Sequence, residues 1–153
     1  MRQVHQVVLA PVGQPDVTLT DAGQDGPWVD LEMNDFAHLA LGGQMASTGY
    51  SDPKETPIGG QGHQAYNMAS VMMTHTITVA LYERLSSGRG QYLDLSIHDA
   101  CAMGTMRAVT SWLHYNEPFV RQTGQHASAK YRPQQQVRCS DGHYIQAIAA
   151  RFS

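Results

Sequence analysis

The chain is short of cysteine, of net positive charge and of long apolar runs, and each shortage removes a class of protein. Two cysteines, Cys101 and Cys139, lie far apart in 153 residues, so no disulfide framework is expected and both thiols read as reduced. Ten Lys and Arg against thirteen Asp and Glu leave a net charge of −3. The basic residues are scattered rather than striped, which excludes the positive field that nucleic acid requires. No apolar run approaches the ~20 residues of a membrane-spanning helix, and Met1-Arg2-Gln3-Val4-His5-Gln6 has no apolar signal-peptide core. The expectation is a cytoplasmic protein with neither membrane nor nucleic acid as partner. The eight His include no pair at zinc-ligand spacing beside a Cys or acid cluster, so they read as solvent-facing or satisfied core residues and no metal is expected. No internal repeat is present.

What remains is a globular composition, 42% hydrophobic and 15% charged, in one domain's worth of chain. Strand-like residues 6–12 and 17–19 lead to a glycine-rich turn at 23–27. A helix is expected over about 31–47, and residues 49–64, with Pro53, Pro57 and Gly59-Gly60-Gln61-Gly62, read as a loop. Met68, Val71, Met72, His75, Val79 and Tyr82 recur at spacings of three and four, so residues 64–85 are expected to form a central buried helix. Its methionines read as core filler. Gly88 is placed to cap that helix in the left-handed conformation. Tyr92 to Ile97 alternates apolar and small polar residues, the pattern of a strand with one buried face. A second long helix follows over about 98–115, with Cys101 on its apolar face as a small buried hydrophobe, and 116–136 reads as irregular. A last strand is expected over Tyr144 to Ala150.

The stretch Ala80-Leu81, Arg84, Gly88, Gly90-Gln91, Leu93-Asp94-Leu95-Ser96 and Asp99-Ala100 resembles, without a gap, the helix–turn–strand segment of the class III CoA-transferases, the family of formyl-CoA transferase and carnitine CoA-transferase. Three weaker matches keep the family's order. They are Gly23-Gln24-Asp25-Gly26-Pro27-Trp28, the run from Asp35 through Leu41-Gly42-Gly43 to Thr48-Gly49, and Arg138-Cys139-Ser140-Asp141-Gly142-His143-Tyr144-Ile145. The resemblance covers about residues 20–146. It implies an α/β fold with long helices packed on short strands. It also implies that 1–153 is a partial CoA-transferase domain: Val7 to Val12 would be the last strand of an upstream nucleotide-binding region, and that region and a C-terminal part lie outside the chain.

The chemistry implied by the resemblance is transfer of CoA from an acyl-CoA to a carboxylic acid, with coenzyme A as substrate and no permanently bound cofactor. The family's nucleophile is an Asp near the start of the long helix, passing through a mixed anhydride and an enzyme thioester. Counting back from Arg84 places it at Tyr66, and His63-Gln64-Ala65-Tyr66-Asn67 holds no carboxylate. A phenol with a pKa near 10 is a poor substitute, so Tyr66 reads as a packing or substrate-wall residue, and the nearest acids along the chain are Glu55 and Asp52. The catalytic residue is therefore unassigned. Candidate substrate- or CoA-binding residues are Gly23, Gly26, Gly59, Gly60 and Tyr66, although glycine loops also serve simply as turns. The related racemisation of 2-methylacyl-CoA needs paired bases, which would fall near Asn34 and Tyr66, where neither is present. Asp35 reads as a helix-face carboxylate near an N-terminus. The alternatives are a catalytically inactive homologue, or half of a tandem protein serving as an acyl-CoA-binding or structural subunit. The family's interlocked dimers imply a homodimer, or the remainder of the chain, as partner.

Overall fold

A computed structural model describes residues 5–7, 16–128 and 135–146. The chain divides into two compact units, Met1–Gln44 with Gly60–Thr105 and Met45–Gly59 with Met106–Ser153.

The first unit is built on a three-stranded sheet of order β1-β2-β3, with β1 at His5–Val7, β2 at Asp16–Thr20 and β3 at Tyr92–Ser96. Strands β1 and β2 are antiparallel, whereas β2 and β3 are parallel, with Asp16 opposite Tyr92 and Thr20 opposite Ser96. Parallel pairing requires a long crossover, and the helices between β2 and β3 supply it. Val17, Thr18, Thr20 and Ser96 are buried. The remainder of the strand expected over 6–12, and residues 147–150 of the last one, lie outside the described residues.

Helix α1 spans Asp35–Leu41 rather than the expected 31–47. Asn34 fixes its start, its side-chain oxygen accepting the Ala37 amide at 2.9 Å, which satisfies one of the N–H groups a helix start leaves open. Gly43, at φ +86°, ends the run, and a separate turn of helix, α2, occupies Gln44–Ser47. Helix α3 runs from Gln64 to Ser87 and stops at Gly88, whose φ of +67° lets its amide close on the Arg84 carbonyl at 2.9 Å.

The expectation that α3 is buried along its long apolar side chains is corrected. Its buried residues are Ala65, Ala69 and Ala80, while Val79, Tyr82 and Leu85 stand exposed. Small residues are what α1, α4 and β3 can approach closely. Apolar residues occur all round α3, so periodicity alone does not select the packed side. Helix α4, Ile97–Met103, begins at Ser96, whose hydroxyl accepts the Asp99 amide at 3.1 Å. The helix expected over 98–115 breaks at Gly104, where a Cβ would meet the Gln44 side chain at 2.6 Å and Met68 at 2.7 Å.

In the second unit, helix α5 spans Met106–Tyr115. The segment expected to be irregular contains a hairpin of β4, Val120–Gln122, and β5, Gln125–Ser128. Strands β6, Gln136–Arg138, and β7, Tyr144–Gln146, form the second antiparallel pair, around the turn at Gly142. Among the described residues, no helix is long and apolar enough to cross a membrane.

Candidate active site

Both parallel strands of the first unit end at the same edge, and the chain leaving them carries polar groups there. Carboxyl ends of parallel strands are where α/β sheets place ligand sites. Asp21 follows β2 and His98 lies one residue past the start of α4, and the two remain joined by the His98 amide donating to the Asp21 carbonyl at 3.0 Å.

The Asp21 carboxylate is engaged on both oxygens. Oδ2 accepts the Met33 amide at 3.2 Å, which ties the loop before α1 to the strand end, and Oδ1 lies 3.1 Å from His38 Nε2. His38 is fully buried. Burial holds its pKa below the usual 6.5, helped by the neighbouring His98 and opposed by Asp21 and Asp35, so the imidazole is neutral at pH 7. Pairing with a carboxylate assigns its proton to Nε2. Nδ1 is left as a buried acceptor without a partner among the described residues, and His98 Nδ1 is likewise buried and unpartnered.

Asp35 performs a task that its sequence position hides. Its Oδ1 accepts the amides of Ala65 at 2.9 Å and Tyr66 at 3.3 Å, across thirty residues of chain. Helix α3 needs this, because His63 occupies its N-cap position in the left-handed region, at φ +56°, and makes no side-chain cap. The expected placement near a helix N-terminus holds, but the carboxylate serves the start of α3 as well as lying in the first turn of α1. Glu55 and Asp52, the nearest acids along the chain, belong to the other unit; in space the carboxylate beside Tyr66 is Asp35.

Tyr66 lies in the first turn of α3, its ring edge-on to His38 and tilted against His63, each at 6.0 Å between centroids. Burial first, then Asp21 and Asp35, raise its phenol above the ordinary value of 10. Tyr66 therefore remains protonated at neutral pH.

Gly23 and Gly26 sit in the loop leaving β2, at φ +95° and +85°, and the Gly23 amide donates to Thr20 Oγ1 at 2.9 Å. Tyr92 holds this loop by accepting from the Gln24 side chain and donating to Thr18 Oγ1 at 2.8 Å. Trp28 reaches from the same loop to stack edge-on with His98 at 5.1 Å. Gly60 packs at the head of α3 against Gln64, whereas Gly59 belongs to the other unit. Among the described residues, no hydrogen bond joins Gly60 to Gly23 or Gly26. Sequence reasoning missed Asp21, His38 and His98. The available signals were an acid directly after a β-pattern and a His three residues after Asp35 on one helix face.

Acids, imidazoles and a phenol thus gather beside the ends of the two parallel strands, and matches to known proteins place this fold in a family. The family model described as CoA-transferase family III matches residues 17–151, and the chain belongs to that family. The succinate–glutarate CoA-transferase of Agrobacterium fabrum is 25% identical over 131 residues, covering 86% of this chain and 32% of the relative. The succinyl-CoA:mesaconate CoA-transferase of Haloarcula hispanica is 31% identical over 117 residues, 76% of this chain and 28% of the relative. A crystal structure of a CAIB/BAIF family protein from Brucella suis superposes with a TM-score of 0.73 at 24% identity, over 86% of this chain and 34% of the other, and shows the same fold. The chain thus spans about a third of the length of these relatives.

Proposed function

We propose that the chain forms the acyl-thioester end of a CoA-transferase site, in a protein that moves CoA between an acyl-CoA and a carboxylic acid. The single observation that carries this reading is the cluster at the head of α3, where Asp35 and the amides of Ala65 and Tyr66 meet beside the part-buried Asp21 and the buried His38 it pairs with. An apolar groove between α3 and α4, lined by Met68, Val71, Met72, Ala100 and Met103, supports it as a surface for an acyl chain. Coenzyme A enters as substrate rather than as a resident cofactor. Tyr66, Gly23, Gly26 and Gly60 are wall and loop residues of this site, and the protein works in the cytoplasm as a dimer. Both relatives described above are named for dicarboxylic acids, which makes succinyl-CoA with glutarate or mesaconate the first pairs to test. Incubating the full-length protein with each pair and following the acyl-CoA pool by mass spectrometry is expected to show a new acyl-CoA.

A second reading is favoured by Tyr66, which stands where the family resemblance puts a nucleophilic Asp: a homologue that binds acyl-CoA without turning it over. Retained binding of succinyl-CoA, with no exchange against any acid of a broad panel, would select it.

A further inference from the structure

Resting on the transfer reading, we propose that Asp35 is the covalent carboxylate of this site, reaching the head of α3 from a neighbouring helix.

Three features separate Asp35 from the other acid there. Asp21 has one oxygen on His38 and the other on the Met33 amide, so both are already engaged in holding the strand end and α1. Asp35 engages Oδ1 alone, with the amides of Ala65 at 2.9 Å and Tyr66 at 3.3 Å, and Oδ2 accepts no hydrogen bond among the described residues. Asp35 is also half-buried rather than sealed, so a substrate carbonyl can approach Oδ2.

The bonding of Oδ1 suits the chemistry step by step. Oδ2 attacks the carbonyl carbon of the acyl-CoA, the C–S bond breaks, and CoA leaves as thiolate, giving a mixed anhydride on Asp35. The thiolate then adds to Cγ of Asp35. Negative charge develops on Oδ1, where two backbone N–H groups at a helix start already point, one within the 2.7–3.1 Å range that stabilises an oxyanion and one slightly longer. Collapse expels the first acid as carboxylate and leaves an Asp35–CoA thioester. The acceptor carboxylate attacks that thioester and releases thiolate, which takes the new acyl group and restores Asp35. No proton, electron or further reactant is needed. Tyr66, protonated and beside Asp35, walls the site without entering the bond changes.

The test treats the full-length protein with succinyl-CoA, then hydroxylamine, and maps hydroxamate by peptide mass spectrometry. The same transfer assay is run on Asp35→Asn, whose amide oxygen still accepts the Ala65 and Tyr66 amides and so keeps the cap. The expected result is hydroxamate on the Asp35 peptide, with turnover in Asp35→Asn reduced by about 10⁴-fold or more while thermal stability falls only slightly. Transfer accompanied by hydroxamate on a different residue, or an Asp35→Asn variant with wild-type turnover, overturns this proposal and leaves the transfer reading standing. Absence of both transfer and adduct, with succinyl-CoA still bound, overturns the transfer reading itself and Asp35's role with it.

Discussion

The Asp35 carboxylate caps a helix that is not its own: Oδ1 lies 2.9 Å from the amide of Ala65 in the first turn of α3, thirty positions away in sequence. Helix starts leave N–H groups without intrahelical partners, and His63 contributes no side-chain cap. Asp35→Ala therefore removes the acceptor and is expected to destabilise the fold by about 1 kcal/mol, the usual scale of a lost cap. Asp35→Asn keeps an acceptor and should lose only a fraction of that. Urea denaturation of the two variants separates them, and equal losses would mean that the cap contributes nothing specific.

Burial of His38 beside the part-exposed Asp21 makes stability depend on pH. Burial lowers the pKa of His38 in the fold below its ordinary 6.5, with His98 adding to the effect and Asp21 and Asp35 opposing it. The unfolded chain consequently binds a proton more readily than the folded one near that pH. Stability is full above about pH 6.5 and is lost as pH falls through the lowered folded value. The urea midpoint should drop between about pH 7 and pH 5, and His38→Gln, which cannot titrate but still offers Asp21 a donor, should flatten that part of the profile. Superimposable profiles for the two proteins would remove His38 as the cause.

Local chemistry was legible wherever a short stretch decided the outcome. Gly88 stops α3, Tyr92 to Ser96 form a strand, and another begins at Tyr144, each as expected. The strand reading overran by one residue, because Ser96 serves as N-cap and Ile97 already starts α4. What depended on distant partners was not legible. Asp35 was correctly placed near a helix N-terminus, but nothing local to Asn34 or Phe36 indicates that its carboxylate reaches Ala65. The spacing of apolar residues in α3 suggests a buried stripe, whereas the close packing goes to Ala65, Ala69 and Ala80. Helix periods also ran through Gly42-Gly43 and Gly104, where the structure breaks them, since a three-and-four spacing is blind to a glycine that turns the chain.

Gly42 marks a close approach of the end of α1 to α4. Its φ of −70° is ordinary, so space alone excludes a side chain. An added Cβ would lie 2.7 Å from Cys101 Cβ and 2.9 Å from the His38 carbonyl oxygen. Gly42→Ala must push the helices apart, at an expected cost of about 1–3 kcal/mol typical of overpacking. Cys101→Ala keeps the offending Cβ and should not rescue it, whereas Cys101→Gly should relieve part of the strain. Thermal denaturation of the single and double variants supplies the comparison, and a Gly42→Ala protein as stable as wild type would show that the contact is looser than the geometry here.

The same contact governs the reactivity of Cys101 and sets it apart from the second thiol, Cys139. Cys101 is fully buried, and burial, reinforced by Asp35, pushes its thiol pKa up, so little thiolate is present near neutral pH. Cys139 is half-buried beside the β6–β7 turn, with its amide bonded to the His143 carbonyl at 2.7 Å. Iodoacetamide near pH 8 should alkylate Cys139 in the native protein and reach Cys101 only through opening of the α1–α4 contact. If that opening costs about 3 kcal/mol, alkylation of Cys101 slows about 100-fold. Timed quenching followed by peptide mass spectrometry gives both rates. Gly42→Ala, by wedging the helices, should speed the labelling of Cys101 and leave that of Cys139 unchanged; equal native rates for the two thiols would contradict the burial of Cys101.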